Sequence, residues 1–360
     1  MRVASVELVD FRNYEHASVE LDPGLTVVRG ANGQGKTNLV EAIAYLATLE
    51  SFRGAPAEAL VREGADAAVV RAVVEQRDGR MVTIDTELAC NGRSRVLVNR
   101  QRLHRSRDLL GVVRVSVFSP DDLALLKEGP AGRRRYLDDL LVALHRRHDQ
   151  LRRDIDRVLR QRNVLLKQAG GRASDDVLTT LEVWDAKLAA LGDELGAARA
   201  EAVAQLAPRV AQAYTGVGGA EEAVGLSYAP AWRRTGMATA LADSRADDIR
   251  RQVTLVGPHR DELHISLAGL PARTHASQGE QRSLALALRL AAHALVTEQF
   301  GSAPVLLLDD VFSELDATRS AALLRHLPAG QVVVTTAGSL PPGARPDRVF
   351  DVCAGAIVAR

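Results

Sequence analysis

The octapeptide Gly30-Ala31-Asn32-Gly33-Gln34-Gly35-Lys36-Thr37 constrains this chain more than any other stretch. It fits G-x-x-x-x-G-K-[ST], a loop that wraps phosphate oxygens in backbone N–H groups. Such a loop works in one setting. A strand must end in a tight glycine turn and a helix must begin at once, so that successive N–H groups and the positive helix end face one point. The flanks meet this demand: residues 25–28 are a short apolar run suited to a buried strand, and residues 38–45 hold helix formers without a breaker. Lys36 is placed to reach terminal phosphates and Thr37 to hold magnesium. A chance glycine-rich turn is the competing reading, and the strand before and helix after weigh against it. The loop specifies a nucleotide, not the use made of it.

A nucleotide loop needs acids at a neighbouring strand end, and one run supplies them. Val305-Leu306-Leu307-Leu308-Asp309-Asp310 is a continuous apolar run closed by two carboxylates. Such a run suits a parallel strand buried on both faces, whose carboxyl end is where ligands sit. Asp309 is placed to hold the magnesium water shell and Asp310 to orient an attacking water. Upstream, Ser277-Gln278-Gly279-Glu280 opens a helix with an S-x-x-E capping box. The box is a sufficient structural reason for these residues, yet a capped helix start with an exposed serine and glycine is also an anion site.

Composition sets outer limits. The chain has 360 residues, 46% hydrophobic and 25% charged, enough for one large or two ordinary domains. Its formal net charge of +1 gives no global field for a polyanion, although a local basic patch stays open. Cys90 and Cys353 stand in no metal or redox spacing and read as plain buried residues of a reducing compartment. There is no signal-peptide core and no apolar run approaching the ~18 residues of a membrane span, so the expected location is cytoplasmic, with no membrane partner.

In chain order, residues 2–9, 16–21 and 25–28 look like strands, as do 69–76 and 81–88 around the Asp78-Gly79 turn, and 96–99 after Asn91-Gly92. This part reads as antiparallel β. Residues 93–107 carry Arg93, Arg95, Arg100, Arg102, Arg105 and Arg107 with no acid among them. Either they form a solvated face or they contact a phosphate backbone. From Leu137 to Leu165 apolar residues recur in steps of four and three, with His148 and Arg162 in the same seam. The stepping resumes from Val177 to Ala202. Two such stripes joined near Gly170-Gly171 predict an antiparallel helical hairpin with arms on the order of 50 Å. Arg133, Arg134 and Arg135 flank it, again as a solvated face or a second nucleic-acid contact. Residues 257–261, Gly-Pro-His-Arg-Asp, are a compact polar turn with no assignable chemistry, and His259 reads as a surface histidine.

The order G-A-N-G-Q-G-K-T, S-Q-G-E-Q, L-L-L-D-D, S-E-L-D resembles the ATP-binding-cassette ATPases: phosphate loop, signature, magnesium strand, D-loop. The long interval between Lys36 and Ser277, with its helical hairpin, resembles the chromosome-maintenance and repair branch. D-F-R-N-Y at 10–14, S-F-R at 51–53, V-F-S-P-D-D-L at 117–123, R-R-R-Y-L-D at 133–138 and G-P-H-R-D at 257–261 are similar to the RecF family. The resemblance implies an α/β ABC-ATPase head, a mixed sheet with an antiparallel β subdomain, over residues 1–119 and 251–360, with a helical hairpin domain inserted at 120–250. It implies ATP and Mg2+ as ligands. Gly30 through Thr37 of one subunit would face Ser277, Gln278, Gly279 and Glu280 of a second copy, with Thr37 and Asp309 on the metal and with Asp310, Lys36 and the opposing Ser277 catalytic. It further implies an ATP-dependent homodimer on double-stranded DNA near gaps, slow hydrolysis that releases it, and work with RecR and RecO in loading RecA. Arg93, Arg95, Arg102, Arg105, Arg133 and Arg134 are the DNA-contact candidates. Two departures stand out: Asp310 occupies the place of a transporter glutamate, and no histidine lies near Thr335-Thr336, where transporters carry a switch histidine. A clamp that binds ATP structurally is a competing function. An SMC-type organiser is disfavoured, because its coiled coils are several times longer.

Overall fold

The structure, a computed structural model, describes residues 1–360 except 92–93, 173, 219–221 and 314. The chain forms two compact units, one of Met1–Leu123, Gln212–Glu221 and Ser277–Arg360, the other of Ala124–Ala211 and Glu222–Ala276. Residues 251–276, placed with the ATPase part by the sequence reading, group with the helical unit.

The first unit is built on a sheet ordered Ala356–Ala359, Arg348–Cys353, Leu25–Arg29, Val332–Thr336, Val305–Leu308, Val115–Phe118. All neighbours pair in parallel except the terminal hairpin Arg348–Cys353 with Ala356–Ala359. The four-residue run Val305–Leu308 is buried throughout, and Thr26, Val27 and Val28 are fully buried, as expected of strands covered on both faces. Parallel pairing puts the ends of Leu25–Arg29, Val332–Thr336 and Val305–Leu308 on one edge, where the phosphate loop and the two acids follow.

A second six-stranded sheet is antiparallel in its main pairings, with Arg2–Phe11 between Tyr14–Glu20 and Ala67–Glu75, followed by Met81–Ala89 and Arg95–Val98. The helix Lys36–Thr48 has eight consecutive buried residues from Leu39 to Leu46. A helix buried all round must be covered on more than one side. Here Leu39, Ile43 and Leu46 share one core with Val6, Leu8 and Phe11 of the antiparallel sheet and Val28, Leu307 and Val333 of the parallel one. The core therefore fixes the start of this helix against both sheets.

The second unit is mainly helical. The hairpin reading holds with a correction: the first stripe is two helices, Pro130–Leu144 and Arg147–Gln168, because His145 turns to extended backbone (φ −147°, ψ 111°). The second arm is longer than its apolar stripe, running Asp175–Gly216, about 60 Å at 1.5 Å per residue. Its last residues, from Gln212, belong to the first unit. The seam is not purely apolar. Arg162, fully buried, donates to Asp185 (2.7 Å) and to Thr254 Oγ1 (2.9 Å) and pairs with Asp248 (2.8 Å). Beside it Leu166 and Leu181 pack with Ile249.

The Gly257–Asp261 turn is structural in this setting. Asp261 is buried and accepts from Tyr228 Oη and Trp232 Nε1, while Arg199 donates to Pro258 O and forks onto Asp138. His259 is not a surface histidine: it is half-buried, contacts Thr254 O at 3.1 Å, and burial pulls its pKa down to about 4. Cys353, expected to be buried, is exposed, and Cys90 is half-buried. Among the described residues, no helix is long and apolar enough to cross a membrane.

Candidate nucleotide site

The loop between Arg29 and Lys36 is shaped by close approach and by backbone sign. Gly30 passes so near the terminal hairpin that a Cβ would sit 2.3 Å from Val352 O. Gly35 lies at φ 119°, and a Cβ there would meet Asn13 Nδ2 at 2.6 Å and Tyr14 Oη at 3.0 Å. Both positions therefore require glycine. Neighbouring segments clamp the loop. Tyr14 Oη donates to Gly35 O (2.9 Å), Asn13 Nδ2 to Gln34 O (2.9 Å), and the Ala354 N–H to Gln34 Oε1 (2.6 Å). Ala31, Asn32 and Gly33 are left exposed at the rim.

Lys36 opens the helix and is 5% exposed, its Nζ donating to Gly30 O (2.8 Å) and Ala31 O (2.9 Å). The next residue bridges to the other half of the site: Thr37 Oγ1 donates to Asp309 Oδ1 at 2.9 Å. Thr335 Oγ1 donates to the same oxygen at 2.7 Å and accepts the Asp310 N–H at 2.9 Å. Burial pushes the Asp309 carboxyl above the usual carboxylate range; the Thr335 and Thr37 hydroxyls oppose the shift, and the charge of Asp310 adds to it. Asp310 adopts φ 49°, in the left-handed region, and its Oδ1 is buried without a hydrogen-bond partner.

These groups face a cleft of about 570 Å³, lined by Asn32, Gly33, Gly35, Lys36, Thr37 and Asp310, among others. Asp309 stands behind it, held by Thr37. The cleft also takes Arg12, Asn13 and Arg53, to which sequence reasoning gave no role. Arg12 and Asn13 are the two-residue turn between Arg2–Phe11 and Tyr14–Glu20, and Arg12 forks onto the buried Glu41 (2.9 and 2.9 Å). Their signal was present in D-F-R-N-Y, but only tertiary pairing brings that turn to the loop. Exposed loop N–H groups, a lysine, a hydroxyl and two acids at one strand edge are the donor set that a magnesium-bound polyphosphate requires.

Ser277 and its followers do not line this cleft within the chain. They form the expected capping box: the Ser277 N–H donates to Glu280 Oε2 (2.6 Å), and the Glu280 N–H donates to Ser277 Oγ (3.4 Å). Those bonds, the Ser277 backbone first, hold the Glu280 carboxyl below its usual range. Ser277 and Gln278 are exposed, and Gly279 lies under Arg319, whose Nη atoms would be 3.1 Å from a Cβ.

The basic candidates divide. Arg95, Arg102 and Arg105 are exposed, Arg95 only 4.0 Å from Glu87. Arg93 lies outside the described residues. Arg133 does not present its charge: it is 6% exposed, forks onto Glu262 (2.6 and 3.0 Å) and donates to two carbonyls. Arg134 is half-buried and donates to Asp261 O at 2.8 Å.

Sheet, loop and paired acids define an ATPase head of the ATP-binding-cassette class. Residues 2–339 match the family model described as RecF/RecN/SMC N terminal domain. The chain is 46% identical over 352 residues to the DNA replication and repair protein RecF of Streptomyces avermitilis, covering 94% of this chain and 93% of that one. It is 46% identical over 358 residues to the RecF of Frankia alni, with the same coverage. The chain belongs to the RecF family. A solved structure of the recombination mediator protein RecF-ATP in the RecFOR pathway superposes with a TM-score of 0.91 at 30% identity, over 99% of this chain and 97% of that one. An Smc head domain from Pyrococcus furiosus shares the fold at a TM-score of 0.59 and 17% identity, over 99% and 96%.

Proposed function

We propose that this chain is an ATP-dependent DNA-binding protein of recombinational repair, in which slow ATP hydrolysis times release from DNA. The observation that carries the reading is the Thr37–Asp309 bond of 2.9 Å, which joins the phosphate loop to the acid strand as one cation site. Gly30 through Thr37 hold the triphosphate, and Lys36 leaves its two loop carbonyls for the terminal phosphates. Two hard oxygen donors, Thr37 and Asp309, suit Mg2+, which takes few protein ligands and the rest from phosphate and water. The bound metal supplies charge neutralisation at the phosphates. Asp310, which lines the cleft, orients the attacking water.

Ser277, Gln278, Gly279 and Glu280 act on the ATP of a second copy. The exposure of Ser277 and Gln278, and the absence of all four from the cleft of their own chain, support this arrangement. ATP is then the bond between two subunits, and the homodimer is the form that grips double-stranded DNA beside gaps. Membership of the family supports work with RecR and RecO to load RecA, and a cytoplasmic location. Of the basic groups, Arg95, Arg102 and Arg105 remain the DNA-contact candidates, being exposed.

Sedimentation of the purified protein with and without ATP and a short duplex tests the reading. ATP is expected to double the mass, and duplex to join only the dimer. Lys36→Ala is expected to abolish ATP binding, whereas Ser277→Arg keeps ATP binding and loses the dimer. A Ser277→Arg protein that still dimerised with ATP would end the trans-site model.

A further inference from the structure

The buried hydroxyl of Thr335 touches both acids of the site. We infer that Thr335 is a positioning residue that sets Asp309 and Asp310 for the metal and the attacking water. The inference rests on the ATPase reading above.

Thr335 is fully buried at the end of Val332–Thr336, the strand between Leu25–Arg29 and Val305–Leu308. Its register partner on the first is Val28, so Thr335 stands level with the strand two residues before the phosphate loop. A hydroxyl has one proton to give and lone pairs to accept with. Thr335 gives its proton to Asp309 Oδ1 (2.7 Å) and accepts the Asp310 N–H (2.9 Å). The Thr37 hydroxyl occupies the same Asp309 oxygen at 2.9 Å. Two donors on Oδ1 fix the carboxylate rotamer, so that Asp309 would hold the metal's water shell in one orientation.

The second bond acts on backbone. Asp310 sits at φ 49°, in the left-handed region, which aspartate tolerates better than most non-glycine residues but which is still favoured by a bond that holds it there. The Thr335 oxygen holds the N–H of that residue, and so holds the turn that puts Asp310 in the cleft wall. One buried hydroxyl thus couples the metal-side acid to the water-side acid across neighbouring strands.

The test separates positioning from packing. ATP affinity is measured by equilibrium titration in excess EDTA and in Mg2+, alongside steady-state hydrolysis, for wild type, Thr335→Ser, Thr335→Val and Thr335→Cys. Without metal, all folded variants are expected to bind ATP alike. The tightening produced by Mg2+ is expected to drop on the order of tenfold in Thr335→Val, and kcat by at least as much, as befits losing a hydrogen bond to a charged group. Thr335→Ser, which keeps the hydroxyl, is expected to restore both. If burial of the orphaned Asp310 N–H keeps the valine protein from folding, the cysteine variant, a poor donor of similar size, carries the comparison. A valine or cysteine protein with wild-type Mg2+ response and kcat overturns the inference, as does a serine protein as impaired as the valine one. Wild-type protein that binds no ATP overturns the ATPase reading instead.

Discussion

Gly35 shows how much of the site rests on a single residue. Its φ of 119° and the Asn13 and Tyr14 side chains around it both forbid a Cβ, whereas Gly33, at φ 80°, has nothing within 4 Å of its Cβ position. Gly33→Ala thus meets only the backbone term, roughly 1–2 kcal/mol. Gly35→Ala adds displacement of the clamp that Tyr14 Oη makes on Gly35 O. Urea denaturation is expected to show the Gly35 variant about 1–3 kcal/mol less stable than the Gly33 variant, with ATP affinity lost only in the former. Equal losses would mean that the Asn13–Tyr14 turn does not shape the loop. The loop itself was readable, because its chemistry is local: glycines, lysine and threonine at fixed spacing. Thr335, Arg12 and Arg53 were not assigned from sequence. Their roles come from which strands are neighbours, and no local pattern records that Val332–Thr336 lies between the loop strand and the acid strand. Arg133 misled for the same reason, since its partner Glu262 is 129 positions away.

At the scale of an element, the helix Gln278–Phe300 joins a surface start to a buried middle. Its capping box was plain in the sequence. The partner of His293 was not. His293 is 2% exposed, its Nδ1 lies 3.1 Å from Ser116 Oγ, and its Nε2 has no partner. Burial pulls its pKa down to about 4 from the ordinary 6.5. The folded state therefore resists the proton that the unfolded state takes up. Stability from this group is complete above pH 6.5 and falls as pH drops toward about 4, where the native imidazole also charges. By pH 5 the loss from this group is about 2 kcal/mol. His293→Leu is expected to flatten the slope of stability against pH between 6.5 and 4, read from denaturant midpoints in that window. An unchanged slope would mean that His293 is protonated in the native helix. Helix boundaries follow the same division between local and tertiary causes: the seam stepping gave the hairpin, but the break at His145 interrupts a stripe that was continuous in sequence.

At the scale of the molecule, two compact units with separate cores share one chain, and the helix Asp175–Gly216 contributes to both. The units are held together differently. The first closes on apolar contacts between two sheets and a buried helix, whereas the second carries a fully buried arginine. Removing Arg162 leaves the fully buried Asp248 without its cation, while Asp185 keeps Arg245 at 3.1 Å; deleting one partner of such a buried pair costs about 3–5 kcal/mol. A nucleotide acts on the other unit, because every residue of the cleft belongs to it. At a hundredfold excess over its dissociation constant, ATP adds about 2.7 kcal/mol to whatever unfolds with the site. Calorimetry is therefore expected to resolve two transitions. ATP raises one and leaves the other in place, while Arg162→Leu lowers the second with little effect on the first or on ATP affinity. Should ATP and Arg162→Leu both move a single transition, the shared helix binds the two units into one cooperative block. Events at the nucleotide would then be felt directly in the stability of the helical unit.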